Sequence, residues 1–129
     1  MMKLDYLTEQ YRGKRVLVTG HSGFKGTWLT KILIKVGAEV QGYAKDEYKF
    51  AEDLNKASFN SVQGDIRDGE AFGKVVSEFS PEIVFHLAAQ PLVYRSYEDP
   101  IETFQTNVLG SVNLLETVRI NPSIKALVF

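Results

Sequence analysis

The sequence predicts a doubly wound α/β fold: a parallel sheet in the strand order 3-2-1-4-5, covered by helices and truncated after its fifth strand. Two observations carry this. Near-continuous apolar runs such as Val16-Leu17-Val18 and Ile83-Val84-Phe85 alternate with helix-like stretches, the pattern of strands buried on both faces of a parallel sheet. A glycine-rich turn, Gly20-His21-Ser22-Gly23-Phe24-Lys25-Gly26, then joins the first strand to the first helix. Parallel neighbours require crossover connections, and the right-handed sense of those crossovers leaves few topologies.

Each element has its own signal. Residues 15–19 read as the first strand, 25–36 as a helix and 39–43 as a second strand set off by Gly37-Ala38, which completes a βαβ unit. The polar stretch 46–57 reads as a short helix, followed by a brief strand at 61–63 that ends at Gly64-Asp65. Asp68 caps a helix to about residue 79, which Ser80-Pro81 breaks. Residues 83–87 form a fourth strand buried on both faces, and 88–98 a loop. Asp99-Pro100 supplies an N-cap and a proline at the first helical position, opening one long helix to about residue 120 that Asn121-Pro122 stops. Residues 125–129 make a fifth strand. No repeat or flexible linker interrupts the pattern, so residues 1–129 read as one dinucleotide-binding domain. An apolar strand left uncovered at the end is an edge that folded proteins blunt. The chain is therefore expected to be the amino-terminal fragment of a longer protein whose substrate domain is absent here.

Composition narrows the function classes. The chain has 129 residues, 44% hydrophobic and 24% charged, a soluble globular composition of one-domain size. Fifteen basic and sixteen acidic side chains give a net charge of -1, so no electrostatic footprint for nucleic acid or an anionic membrane surface is present. Cysteine is absent, which excludes disulfides and thiolate metal sites and agrees with a reducing compartment. The first residues lack the apolar core of a signal peptide, and no apolar run approaches the ~18 residues of a membrane span, so a cytoplasmic location is expected. No metal site is expected.

Strand, glycine turn and helix in that order are what a dinucleotide pyrophosphate requires. Glycines permit the tight turn and close backbone approach, and the helix amides face the anion. The spacing is G-x-x-G-x-x-G, a variant of the usual fingerprint. Arg95, Ser96 and Tyr97, after the fourth strand, are further site candidates because ligands bind at the carboxyl ends of the strands in such sheets.

Taken together, five segments resemble the extended short-chain dehydrogenase/reductases that modify nucleotide sugars, the NAD-dependent epimerase/dehydratase family. They are Thr19-Gly20 with Gly23 and Gly26, Gly64-Asp65-Ile66-Arg67-Asp68, His86-Leu87-Ala88-Ala89, Asp99-Pro100, and Thr106-Asn107-Val108-Leu109-Gly110. Residues 18–29 and 85–93 resemble the 4,6-dehydratase branch that acts on CDP-glucose, with Lys25 and Ala89-Gln90-Pro91-Leu92-Val93 as the distinguishing letters. The resemblance implies a Rossmann-like fold, a lyase and tightly held NAD. It places Gly20, Gly23 and Gly26 at the pyrophosphate with Ser22, Phe24 and Lys25 in the same loop. Asp65 and Ile66 would lie along the adenine, and Leu87, Ala88, Ala89 and Gln90 along the pyrophosphate and nicotinamide ribose. Asn107 matches a helix asparagine that supports the catalytic lysine, and asparagine has no propensity reason to sit inside a helix. The bland alternatives are a solvated Lys25 and an Asp65 that caps its own loop.

Two departures from the family pattern stand out. The acid expected at the end of the second strand is replaced by Ala44-Lys45, which leaves NADP open as the alternative cofactor. The family's Tyr-x-x-x-Lys is missing, since none of the six tyrosines is followed four positions later by lysine. The fragment is thus expected to be inactive by itself. A nucleotide-sugar 4-epimerase, or a non-catalytic NAD(P)-binding scaffold or sensor, are the alternative functions.

His21 and His86 lack a partner pattern for general-base work, and His86 reads as a hydrogen-bonded core or loop-anchoring residue. Trp28 and the Phe and Tyr residues are expected mostly in the core. Ile101, Phe104, Val108, Val112, Leu115 and Val118 form a stripe at helical spacing, expected to pack mainly on the sheet. The resemblance also implies a nucleotide-sugar substrate and a homodimer of the full-length protein that pairs this helix.

Overall fold

The computed structural model describes residues 4–49 and 58–129. Helix α1 (Leu4–Tyr11) precedes β1 (Arg15–Thr19), α2 (Phe24–Lys35), β2 (Glu39–Ala44), β3 (Phe59–Gln63), α3 (Gly69–Phe79) and β4 (Ile83–His86). Then come α4 (Val93–Glu98), α5 (Pro100–Phe104), a π-helical turn over Gln105–Leu109, α6 (Gly110–Ile120) and β5 (Ala126–Val128). All five strands are parallel, in the order β3-β2-β1-β4-β5, as the sequence predicts.

β1 lies at the centre because its residues can be buried on both sides, and Val16, Leu17, Val18 and Thr19 are fully inaccessible. Alternation along the strand divides the core into two layers. Val16 and Val18 join Leu33, Ala38 and Val40 on the α2 side. Leu17 joins Tyr43, Ile66, Phe72, Val76, Val84 and Leu114 on the side of α3 and α6. Each aliphatic side chain so buried contributes about 1.5–3 kcal/mol relative to exposure. The helix ends follow the sequence signals. The Asp68 carboxylate accepts from Ala71 N at 3.0 Å, and that of Asp99 accepts from Glu102 N at 2.9 Å with Pro100 in the first turn.

Several expectations are corrected. The sequence pattern gives no sign of helix α1, and α4 stands inside the segment expected to be a loop. Only residues 46–49 of the polar stretch 46–57 are described, and they form no helix; the rest of that expected helix lies outside the described residues. The fourth strand is less covered than its composition suggests. Val84 and His86 are buried, whereas Ile83 and Phe85 are half-buried because α2 packs chiefly over β1 and β2.

The largest correction concerns aromatic and apolar helix residues. α2 buries Gly26, Thr27, Thr30 and Leu33, small or slender residues that let the helix approach the sheet, and so turns Trp28 outward with 59% of its surface exposed. Phe24, Tyr94, Tyr97, Phe104 and Phe129 are likewise exposed, against a core that keeps Tyr43, Tyr48 and Phe72. Of the long-helix stripe only Val118 packs against the core. α6 turns Gly110, Leu114 and Thr117 inward, and Ile101, Phe104, Val108, Val112 and Leu115 stay exposed as one apolar ridge. The inward residues escape the pattern because two of the three are not hydrophobic.

Candidate functional site

The carboxyl ends of the strands open into a cleft of about 680 Å³. Its walls are Gly20 and Ser22 through Gly26, the end of β2 from Tyr43 to Asp46, Gly64-Asp65-Ile66, and Leu87 through Pro91, with Glu102 and Thr106 from the helical side. All twelve residues expected at the cofactor, Gly20, Ser22, Gly23, Phe24, Lys25, Gly26, Asp65, Ile66, Leu87, Ala88, Ala89 and Gln90, stand on that wall. Arg95, Ser96 and Tyr97 do not; Arg95 reaches the cleft only through its ion pair with Glu102.

The glycine turn has two kinds of glycine. Gly20 is left-handed, with φ 74°, and a Cβ there would lie 2.7 Å from Ala88 N. A Cβ on Gly26 would run into the Gly20 carbonyl oxygen. Both are demanded by the protein's own packing. Gly23 is extended, with φ -74° and ψ 173°, and a Cβ would only touch Gly20 O at 3.4 Å. Gly23 is also the N-cap of α2 and offers no side-chain acceptor to the first-turn amides. Those amides, carrying the positive end of the helix dipole, therefore face a cleft that no side chain at position 23 narrows. An anionic group fits this cradle.

Hydrogen bonds hold the opposite wall. Thr19 Oγ1 lies 2.7 Å from His86 Nδ1 and accepts from the amides of Leu87 and Ala88 at 3.2 Å each. With both acceptor positions of the hydroxyl in use, its single proton goes to Nδ1, which assigns His86 as the Nε2-H tautomer. His86 is thus a loop anchor, as the sequence reading favours, and burial lowers its pKa. Asn107 sits in the π-helical turn, where Oδ1 accepts from Gln90 N at 2.8 Å and Nδ2 donates to Gln90 O at 3.1 Å. The Gln90 side chain in turn donates to Leu92 O and Thr103 Oγ1 and accepts from Leu92 N. π-Helical turns of this kind are frequent at functional sites.

At the β3 end, Asp65 is not a free acceptor. Arg67 grips its carboxylate through Nε and Nη2, the latter at 2.6 Å, and the Arg67 amide donates to Oδ1 at 3.0 Å. The guanidinium holds the Asp65 pKa below the usual carboxylate range. This is the loop-capping alternative, realised in a residue that also lines the cleft. Asn113 fixes the same loop from α6, its Nδ2 donating to Ile66 O at 2.9 Å and Arg67 O at 3.0 Å. Lys25 projects from the first turn of α2 on the cleft wall. His21 stands apart from the cleft, fully buried, with Nε2 2.7 Å from Ser61 Oγ and its ring stacked on Tyr48 at 5.2 Å. Burial lowers its pKa to about 4.

Asn113, which holds a loop of the cleft, and Glu102, on its wall, are residues that sequence reasoning does not single out, and Thr19 enters it only as part of the Thr19-Gly20 motif. Asn113 carries the same signal as Asn107, an asparagine inside a helix. Glu102, three residues after the Asp99 cap, reads as a capping partner and gives no sign that its carboxylate reaches the cleft.

A family model described as GDP-mannose 4,6 dehydratase matches residues 17–129. A CDP-glucose 4,6-dehydratase of Salmonella typhimurium is 52% identical over 122 residues, which is 92% of this chain and 34% of that protein. A UDP-glucose 4-epimerase of Mycolicibacterium smegmatis is 41% identical over 82% of this chain and 35% of its own length. Among solved structures, a UDP-glucose 4-epimerase of Thermus thermophilus in complex with NAD superposes with a TM-score of 0.79 at 38% identity, covering 89% of this chain and 36% of that one. The chain thus spans about a third of the length of the relatives it matches.

Proposed function

The chain belongs to the family described as GDP-mannose 4,6 dehydratase, and from that premise we propose that it is the NAD-binding, amino-terminal Rossmann-like domain of a nucleotide-sugar 4,6-dehydratase that converts CDP-glucose to CDP-4-keto-6-deoxyglucose. The observation that carries the reading is the convergence of all twelve cofactor-site residues on one cleft at the carboxyl ends of the strands. Similarity to the Salmonella typhimurium enzyme supports CDP-glucose as the substrate, and the NAD of the Thermus thermophilus structure supports the cofactor.

When bound, NAD supplies a reversible hydride store for the net loss of water between C5 and C6 of the glucosyl unit. The chain's own residues bind and orient. The α2 amides, opened by Gly23, receive the pyrophosphate, with Lys25 beside them. Asp65 and Ile66 flank the adenine, and the loop from Leu87 to Gln90 lines the nicotinamide half. Asn107 holds that loop in register through Gln90 and so acts as a positioning residue. The Tyr/Lys acid-base pair of the family is not among residues 1–129, so the chemistry requires chain beyond them. The full-length protein works as a cytoplasmic homodimer, with the exposed ridge of α5 and α6 as the pairing surface.

Incubating the full-length protein with CDP-glucose and following product mass tests this reading. Loss of one water is expected. An isomer of unchanged mass would replace the dehydratase by a 4-epimerase, and turnover by residues 1–129 alone would contradict the division of labour.

A further inference from the structure

Dinucleotide sites commonly place an acid at the end of the second strand, where it accepts from the adenosine 2′-hydroxyl, or a cation that accommodates a 2′-phosphate. Here β2 ends in Ala44 and Lys45 follows, which by itself favours the phosphate. The three-dimensional arrangement reverses that. Lys45 Nζ lies 3.4 Å from Glu102 Oε1, and Glu102 comes from α5, on the other side of the cleft. Its second oxygen binds Arg95 Nη2 at 2.6 Å. The Glu102 side chain is only 15% exposed against 59% for Lys45, so the carboxylate is the fixed member and the cations come to it. Lys45, Asp46, Asp65 and Glu102 share the cleft wall, and Asp65 is itself engaged by Arg67. Among the described residues around this end of the cleft, Lys45 and Arg95 share the Glu102 carboxylate and Arg67 holds that of Asp65.

We propose that Glu102 sets the choice between cofactors: by holding Lys45 and Arg95 and keeping its own negative charge at the β2 end of the cleft, it makes the site accept a 2′-hydroxyl and reject a 2′-phosphate. The inference rests on the NAD reading of the cleft given above. A phosphate monoester is close to a dianion at neutral pH, so it meets a like charge at Glu102 and finds both cations taken. Glutamine at this position keeps the shape, removes the charge and releases an ammonium and a guanidinium, the two groups best suited to phosphate. The acid missing from β2 is in effect delivered from another element.

The test is calorimetric titration of NAD and of NADP into the wild-type chain, Glu102→Gln, Lys45→Met, and Glu102→Gln combined with Lys45→Met, each first verified as folded by circular dichroism. Glu102→Gln should lower the ratio of NADP to NAD dissociation constants by about tenfold, the size expected for removing one like charge near a dianion under water-like screening. The gain should shrink in high salt, and adding Lys45→Met should take most of it back. Lys45→Met alone should leave the ratio within about twofold of wild type, because Lys45 is already occupied. A ratio unmoved in Glu102→Gln while NAD still binds would overturn the inference and leave the cofactor reading intact. Selective weakening of NADP by Lys45→Met alone would also overturn it, and this variant carries the test if Glu102→Gln does not fold. Absence of NAD binding in folded wild-type protein would overturn the cofactor reading and this inference with it.

Discussion

Asn107 closes a two-point ring with the main chain of Gln90, accepting from its amide at 2.8 Å and donating to its carbonyl at 3.1 Å. One side chain in the π-helical turn thereby fixes the loop that forms the β4 wall of the cleft. Asn107→Leu leaves both main-chain groups without that partner. It should cost about 1–3 kcal/mol of stability, measured by urea denaturation, and the Gln90 amide should lose its protection in hydrogen exchange. Unchanged protection at Gln90 would show that the ring is not what orders the loop.

The glycines of the turn should separate experimentally. Gly26→Ala drives a Cβ into the Gly20 carbonyl and should unfold or strongly destabilise the chain. Gly23→Ala meets only ordinary contact on an extended backbone, so its melting temperature should stay close to wild type. If the space at Gly23 serves ligand approach, its NAD affinity should nonetheless fall about tenfold or more, corresponding to ~1.4 kcal/mol. Thermal unfolding and titration on the same samples distinguish the two effects.

The chain has only two histidines, so their titrations can be followed individually by NMR. His21 should titrate with a midpoint of about 4, held neutral by burial. The sign for stability follows from linkage. Between the ordinary value of 6.5 and about 4 the unfolded chain binds a proton that the folded chain does not, so stability is full above that window and falls as the pH drops through it. The loss from His21 is on the order of 2–3 kcal/mol by the bottom of the window. His86, also lowered by burial, adds in the same direction. A His21 midpoint near 6.5 would contradict its burial against Tyr48 and Ser61.

The ridge of Ile101, Phe104, Val108, Val112 and Leu115 is exposed although its spacing is that of a packed helix face. The dimer proposed for the full-length protein is tested on this surface: wild type should sediment as a dimer and Val112→Asp as a monomer, with the circular dichroism spectrum unchanged. A dimer that survives this substitution would place the pairing surface elsewhere.

Much of this molecule is legible in its sequence because its central strands, β1 and β2, are buried on both sides. Val16 to Val18 and Ile83 to Phe85 announce themselves by composition, and Asp68, Asp99 and Pro100 mark helix starts by chemistry that is local to the chain. The wall of the cleft is legible because its glycines and small residues are contiguous in short segments. Contacts between distant elements are not. Nothing near Glu102 in sequence reveals that Lys45 lies across the cleft from it, and the spacing of the ridge points to the wrong face because Gly110 and Thr117, which are buried, leave no hydrophobic signature. Trp28 misleads in the same way, since α2 approaches the sheet through small residues and turns its largest one outward.

The central claim is that the cleft of this chain binds NAD through its own residues. Calorimetric titration of NAD and NADP into the folded chain tests it most directly. Saturable binding of one NAD per chain, tighter than NADP and weakened by Gly23→Ala, is the predicted result. A chain that is folded by circular dichroism yet takes up neither cofactor would contradict it.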